Sequence, residues 1–132
     1  MFAVELTRMC VQYESPDGQM ERVVPEQIFQ ALLKAALKTI EVDEDWYMTT
    51  YEDVANACRA KTFSNAKEHY VKFGYFEGRL PRRLEFDESY YLSVNPDVAI
   101  AVGNNEVASG LDHFEKVGYK EGRLPTEHFS LF

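Results

Sequence analysis

The chain has 132 residues, 45% hydrophobic and 14% aromatic, with a net charge of −8 from 22 acidic and 14 basic side chains. That length suits one compact domain or a small domain with an appendage, and the apolar content is enough for a packed core, which excludes wholesale disorder. An acidic surface without a basic stripe repels phosphate backbones and argues against nucleic acid as a partner.

The first residues, Met1-Phe2-Ala3-Val4-Glu5, lack the basic start of a signal peptide. No apolar run approaches the ~20 residues that span a bilayer. Two cysteines, Cys10 and Cys58, are too few for a secreted disulfide scaffold. The expectation is a cytoplasmic protein with reduced thiols and no membrane insertion.

Phe2, Val4 and Leu6 alternate, as do Met9, Val11 and Tyr13, with a phase slip near Arg8 that predicts a bulge or twist. Ser15-Pro16-Asp17-Gly18 is a turn signal, and Gln19 to Val24 is the predicted return strand. An isolated hairpin is marginal in water, so it must pack on helices or pair with a second copy, the latter giving a homodimer through a continuous sheet. Pro25-Glu26 opens a helix predicted to run to about Ile40, with Ile28, Phe29, Leu32, Leu33, Ala36, Leu37 and Ile40 as a broad apolar stripe. Residues 1–42 thus read as a hairpin plus an amphipathic helix that caps the following array or serves as an oligomer or partner surface.

Residues 43–81 written over 87–125, an ungapped offset of 44, share 16 of 39 positions. Like-for-like exchanges such as Trp46/Tyr90 and Tyr70/Phe114 extend the match. A period of this size marks a stacked supersecondary unit, so the predicted fold is mainly α with a small N-terminal β-hairpin and two tandem helical repeats of about 44 residues. Asp87 is a predicted N-cap between Phe86 and Tyr91 as a hydrophobic staple, and Val42, Asp43 and Tyr47 repeat the arrangement. Asn95-Pro96-Asp97 predicts a second helix start with Asn95 as cap; Thr50 is the expected cap in the first copy. Phe63, Ala66, Tyr70 and Phe73, matched by Val107, Gly110, Phe114 and Val117, predict a third helix. Gly74 and Gly118 then stand where a left-handed C-terminal cap is expected, and Glu77-Gly78-Arg79-Leu80-Pro81 and Glu121-Gly122-Arg123-Leu124-Pro125 predict a second bend and a proline stop.

Tyr90-Tyr91-Leu92, Asn95-Pro96-Asp97-Val98-Ala99, His113-Phe114 and Gly118 to Pro125 together resemble a bacterial tandem repeat of the form YYLxxNPDVAxAV, a spacer, then HFxxxGxxEGRxP. The first copy departs from it, with Tyr51-Glu52 where Asn-Pro is expected. The resemblance implies an accessory module of the kind attached to glycosyltransferases, methyltransferases and surface or secreted proteins, without chemistry of its own.

His69 and His113, at the edge of the buried stripe, suit a structural hydrogen bond better than metal ligation or general-base work, because no second His or Cys stands at ligand spacing. Arg79 and Arg123 suit a clasp between helices, to Asp53 and Asp97. Asp43-Glu44-Asp45 is read as a helix opening rather than a cation or sugar-nucleotide site, since Ser89 replaces the third acid in the second copy. No phosphate-cradling loop and no nucleophile elbow occur, so no catalytic residue, cofactor or metal is assigned.

The remaining signal is aromatic. Trp46, Tyr51, Tyr75, Phe76, Tyr90, Tyr119, Phe129 and Phe132 are the candidate interaction residues, because rings give contact area at low entropic cost. Residues 126–132 either fold back over the second repeat or form a docking tail. The expected function is a non-catalytic scaffold, adaptor or accessory subunit in bacterial envelope polysaccharide synthesis or export. It would be homodimeric and bound to a protein such as a glycan-processing enzyme. A carbohydrate-binding module and a small regulator of an enzyme are the alternatives.

Overall fold

The computed structural model describes residues 9–132, so the strand expected at Phe2–Leu6 and the slip at Arg8 lie outside the described residues. The chain divides into two compact units, one ending at Thr39 and one spanning Ile40–Phe132. In order, the described elements are β1 (Val11–Glu14), β2 (Met20–Val23), α1 (Glu26–Leu37), α2 (Glu44–Thr50), α3 (Glu52–Arg59), α4 (Ala66–His69), α5 (Glu88–Val94), α6 (Pro96–Gly103) and α7 (Gly110–His113). The protein is mainly helical, with one small antiparallel hairpin near its N-terminus.

In the first unit, β1 and β2 pair Val11 with Val23, Gln12 with Arg22, Tyr13 with Glu21 and Glu14 with Met20. Ser15 closes the turn: its hydroxyl accepts from the Gln19 N–H at 3.2 Å, and Gly18 takes φ +82°, a conformation glycine adopts without cost. Met9 lies outside the strand, and every residue of both strands is exposed. Helix α1 starts as expected after Pro25 but ends at Leu37 rather than near Ile40. The Thr39 N–H and hydroxyl both turn back onto the Ala36 carbonyl, at 3.0 and 2.7 Å, which replaces the next helical bond. Ile28 and Leu37 are buried, whereas Phe29 and Leu32 of the predicted stripe are exposed.

In the second unit, residues 43–81 and 87–125 adopt the same element order. Asp43 and Asp87 cap α2 and α5 by accepting from the Trp46 and Tyr90 N–H groups, both at 2.9 Å. The Phe86 and Tyr91 rings meet at 5.1 Å, completing the staple. Each segment closes on itself: Asp43 N–H donates to the Pro81 carbonyl at 3.1 Å and Asp87 N–H to the Pro125 carbonyl at 3.0 Å. A buried cluster of Leu80, Leu84, Tyr91, Val98 and Phe114 holds the second segment, and Trp46 from the first segment and Phe129 and Leu131 from the tail pack on it. The tail therefore folds back rather than standing free.

Four local expectations change. Thr50 does not cap α3; it is the last residue of α2, and Tyr51 occupies the cap position without a side-chain bond. Asn95 sits at the start of α6 but does not cap it, because its carboxamide is committed elsewhere. The third helices begin at Ala66 and Gly110, capped by Asn65 and Ser109, so Phe63 and Val107 precede them. Gly74 and Gly118 are not left-handed; the positive-φ glycines of this unit are Gly78 at +70° and Gly122 at +75°. Helices α4 and α7 instead continue into one wide turn, with Tyr75 N–H bonding the Tyr70 carbonyl at 3.0 Å and Tyr119 N–H the Phe114 carbonyl at 2.9 Å, an i to i+5 pattern.

Candidate binding groove

The wide turns explain the two histidines. Buried Tyr47 bonds His69 Nδ1 through its hydroxyl at 3.0 Å, and Tyr91 bonds His113 Nδ1 at the same distance. A Cβ on Gly74 would run into the Tyr47 hydroxyl, and one on Gly118 into the Tyr91 hydroxyl. The glycines are there for close approach, and the opened turn makes room for the phenol. Burial pushes the Tyr47 hydroxyl far up and the His69 imidazole down, with Arg79 adding to the latter. Both histidines are thus committed to tyrosines of their own segment.

The other repeated polar residues are engaged as well. Arg79 clasps Asp53 with two bonds of 2.8 and 2.6 Å and reaches Glu77 at 2.7 Å. Arg123 clasps Asp97 at 2.9 and 2.8 Å and Glu121 at 2.7 Å. The bidentate pairing holds the Asp53 and Asp97 carboxyls near pKa 2, well below the usual carboxylate value. Glu44 accepts from the Ala66 and Lys67 N–H groups at 2.7 and 3.1 Å, and Glu88 from Gly110 and Leu111 at 2.6 and 3.0 Å. The sequence reading missed this use of the glutamates; their identity at the 44-residue spacing was the available signal. Among the described residues, no group of three His, Cys, Asp or Glu side chains is placed to hold a metal ion.

The sequence-predicted aromatics separate into two sets. Trp46 packs on the core of the second segment and stands edge-on to Tyr51 at 6.1 Å. Tyr51 lies under the Arg79 guanidinium at 4.9 Å, and its hydroxyl accepts from the Leu80 N–H at 2.9 Å. Tyr90 is half-buried in α5. The other five converge: Tyr75, Phe76, Tyr119, Phe129 and Phe132 line one groove of about 630 Å³, together with Glu77, Gly78, Lys120 and Leu131.

The groove is built by both segments and the tail. Tyr75 stands edge-on to buried Tyr70 at 6.3 Å and at right angles to Phe76 at 5.4 Å, and Tyr119 stands edge-on to buried Phe114 at 6.0 Å. Such edge-to-face contacts fix ring orientation before anything binds. Lys120 lies so close over Gly78 that a Cβ there would meet its stem at 2.8 Å. Phe76 and Phe132 leave about half or more of their surface in solvent. The result is an aromatic trough with one ammonium and one carboxylate along it, suited to an extended apolar or amphipathic ligand. Lys120 and Leu131 were not singled out in the sequence, Lys120 because it replaces Phe76 at the repeat spacing.

A second hollow of about 620 Å³, lined by Glu85, Asp87, Glu88, Glu127 and His128 among others, is polar. Two of its acids, Asp87 and Glu88, are already spent on backbone N–H groups. No helix among the described residues is long and apolar enough to cross a membrane. Compared with protein-family models, with curated proteins and with solved structures, the chain matches none.

Proposed function

We propose that this protein is a non-catalytic binding and assembly module. In this reading it is a scaffold, adaptor or accessory subunit built from two copies of one helical repeat, acting in the cytoplasm as a homodimer. The observation that carries the reading is the convergence of Tyr75, Phe76, Tyr119, Phe129 and Phe132 on one groove, while His69 and His113 are bonded to tyrosines, Arg79 and Arg123 to Asp53 and Asp97, and Glu44 and Glu88 to backbone N–H groups. The ligand in this reading is a protein segment, because a trough of rings with opposite charges along it suits a side-chain array. The resemblance of the repeat sets the module beside bacterial envelope glycan machinery, with a glycan-processing enzyme as the partner type.

The test is panning of a random peptide library on the whole chain and on a Phe76→Ala/Phe132→Ala variant. Both rings are exposed, so the variant keeps its core. Peptides that bind the parent and lose about tenfold or more on the variant support the reading. The rings also suit a sugar face, and a glycan array read with the same pair of proteins separates a carbohydrate module from a protein-binding one. If neither library gives a ring-dependent ligand, the groove is not the site.

A further inference from the structure

The hairpin of the first unit has two edges of different character. The Ser15 N–H bonds the Gln19 carbonyl at 2.8 Å, so alternation along the ladder directs the backbone groups of Tyr13 and Val11 inward, toward Glu21 and Val23. The N–H and C=O of Gln12 and Glu14 then point away from β2, and those of Met20 and Arg22 point away from β1. Among the described residues no third strand pairs with either edge.

Side chains decide which edge is open to pairing. Two β2 edges meeting antiparallel about a two-fold axis, centred on the strand, would oppose Glu21 to Glu21 or Arg22 to Arg22, and like charges directly opposite destabilise a pair. Two β1 edges centred on Gln12 would oppose Gln12 to Gln12, Val11 to Tyr13 and Cys10 to Glu14, with no like charges facing. The Arg22 guanidinium is held across the hairpin by Gln12 at 3.1 Å, and Tyr13 donates to Glu21, so the polar groups near this edge are satisfied inside one copy. The face bearing Val11 (65% exposed), Val23 (56%) and Tyr13 (43%) would become continuous across both copies.

We infer that the β1 edge is a self-association site, where a second copy of this chain adds its own β1 antiparallel about Gln12 to make a four-stranded sheet. This rests on the homodimer reading above and names the strand and the register. The contact is small, which places it among weak, micromolar-range interfaces. Each copy carries −8, so added salt tightens the dimer by screening the repulsion.

Sedimentation equilibrium of the full chain from about 10 µM to about 1 mM should move from the 15.2 kDa monomer toward twice that mass. Gln12→Pro removes an outward N–H without touching the hairpin's own ladder and should weaken association by about tenfold or more. In a Cys10→Ser/Cys58→Ser background, Gln12→Cys should form disulfide-linked dimers. The inferred register puts the two Cα atoms about 5.5 Å apart, within disulfide reach. Arg22→Cys in the same background should not cross-link. A monomer at every concentration and salt overturns both the inference and the homodimer reading. A dimer that tolerates Gln12→Pro, or that cross-links as well at Arg22→Cys, overturns the β1 edge while leaving the homodimer standing, and the groove is unaffected by either result.

Discussion

The two segments of the second unit share a polar frame and differ in what fills it. Both keep the capping aspartate, the glutamate on two backbone N–H groups, the tyrosine–histidine bond against a glycine and the arginine–aspartate clasp. At the start of the second helix they part. In the first segment Tyr51 places a ring under Arg79 and accepts from Leu80 N–H. In the second, Asn95 accepts from Arg123 at 2.9 Å and donates to the Tyr91 carbonyl at 2.8 Å. A ring with a hydroxyl and a carboxamide thus both orient the same guanidinium, one by stacking and one by a hydrogen bond. Position in the stack makes a second difference: Leu80 is 4% exposed against the second segment, whereas its counterpart Leu124 is 45% exposed. The frame fixes the fold of each segment, and the exchangeable positions record what each segment packs against.

The largest expected effect tests the part of the frame both segments share. Gly74→Ala and Gly118→Ala should each destabilise by about 3 kcal/mol, from overpacking plus a broken buried tyrosine–histidine bond. Urea unfolding measures it. Adding Tyr47→Phe to the first or Tyr91→Phe to the second should recover part of the loss, because the phenol oxygen is what the new methyl meets. Gly122→Ala, with open space but φ +75°, should cost only about 1 kcal/mol. If the tyrosine changes give no rescue, backbone conformation and not close approach fixes these glycines.

A smaller effect sharpens the difference between segments. Tyr70 and Phe114 are equivalent and fully buried, yet the Tyr70 hydroxyl, which lies near Tyr119, makes no hydrogen bond. A buried orphan hydroxyl costs free energy, so Tyr70→Phe, which copies the second segment, should stabilise by about 1 kcal/mol. A loss of stability on removing that oxygen would mean that it is bonded in solution.

Much of this was legible before any coordinates. Asp43 and Asp87 as caps, the Phe86–Tyr91 staple and the arginine clasps follow from local rules that act within a few residues or repeat at a fixed spacing. Asn95 stands at its helix start but does not cap it, because the Arg123 guanidinium and the Tyr91 carbonyl claim its carboxamide, and Thr50 does not cap because α2 runs on to include it and leaves Tyr51 at the cap position. Gly74 and Gly118 were assigned a left-handed role because their neighbour in space, a phenol 27 residues earlier, is invisible to a local rule. The groove was half legible: abundance of aromatics marked the residue types, and only the packing of the tail showed that five of them meet.

The smallest predicted effect is a pH dependence of stability. Burial lowers the His69 pKa below its ordinary 6.5, and the Arg79 charge adds to it. As pH falls through 6.5 the unfolded chain takes up this proton first, so stability must decline on the acid side of that value. Asp53 and Asp97 behave in the complementary range. Their clasps lower them from 3.8 to about 2, so the stability they contribute is present above 3.8 and is lost as pH falls to about 2. Thermal melts followed against pH should therefore show a shallow decline below pH 6.5 and a further one below pH 4. His69→Gln should flatten the first and spare the second, whereas Asp53→Asn and Asp97→Asn should each weaken the second. An unchanged upper slope in His69→Gln would mean that the neutral-pH loss does not belong to the first segment's buried imidazole.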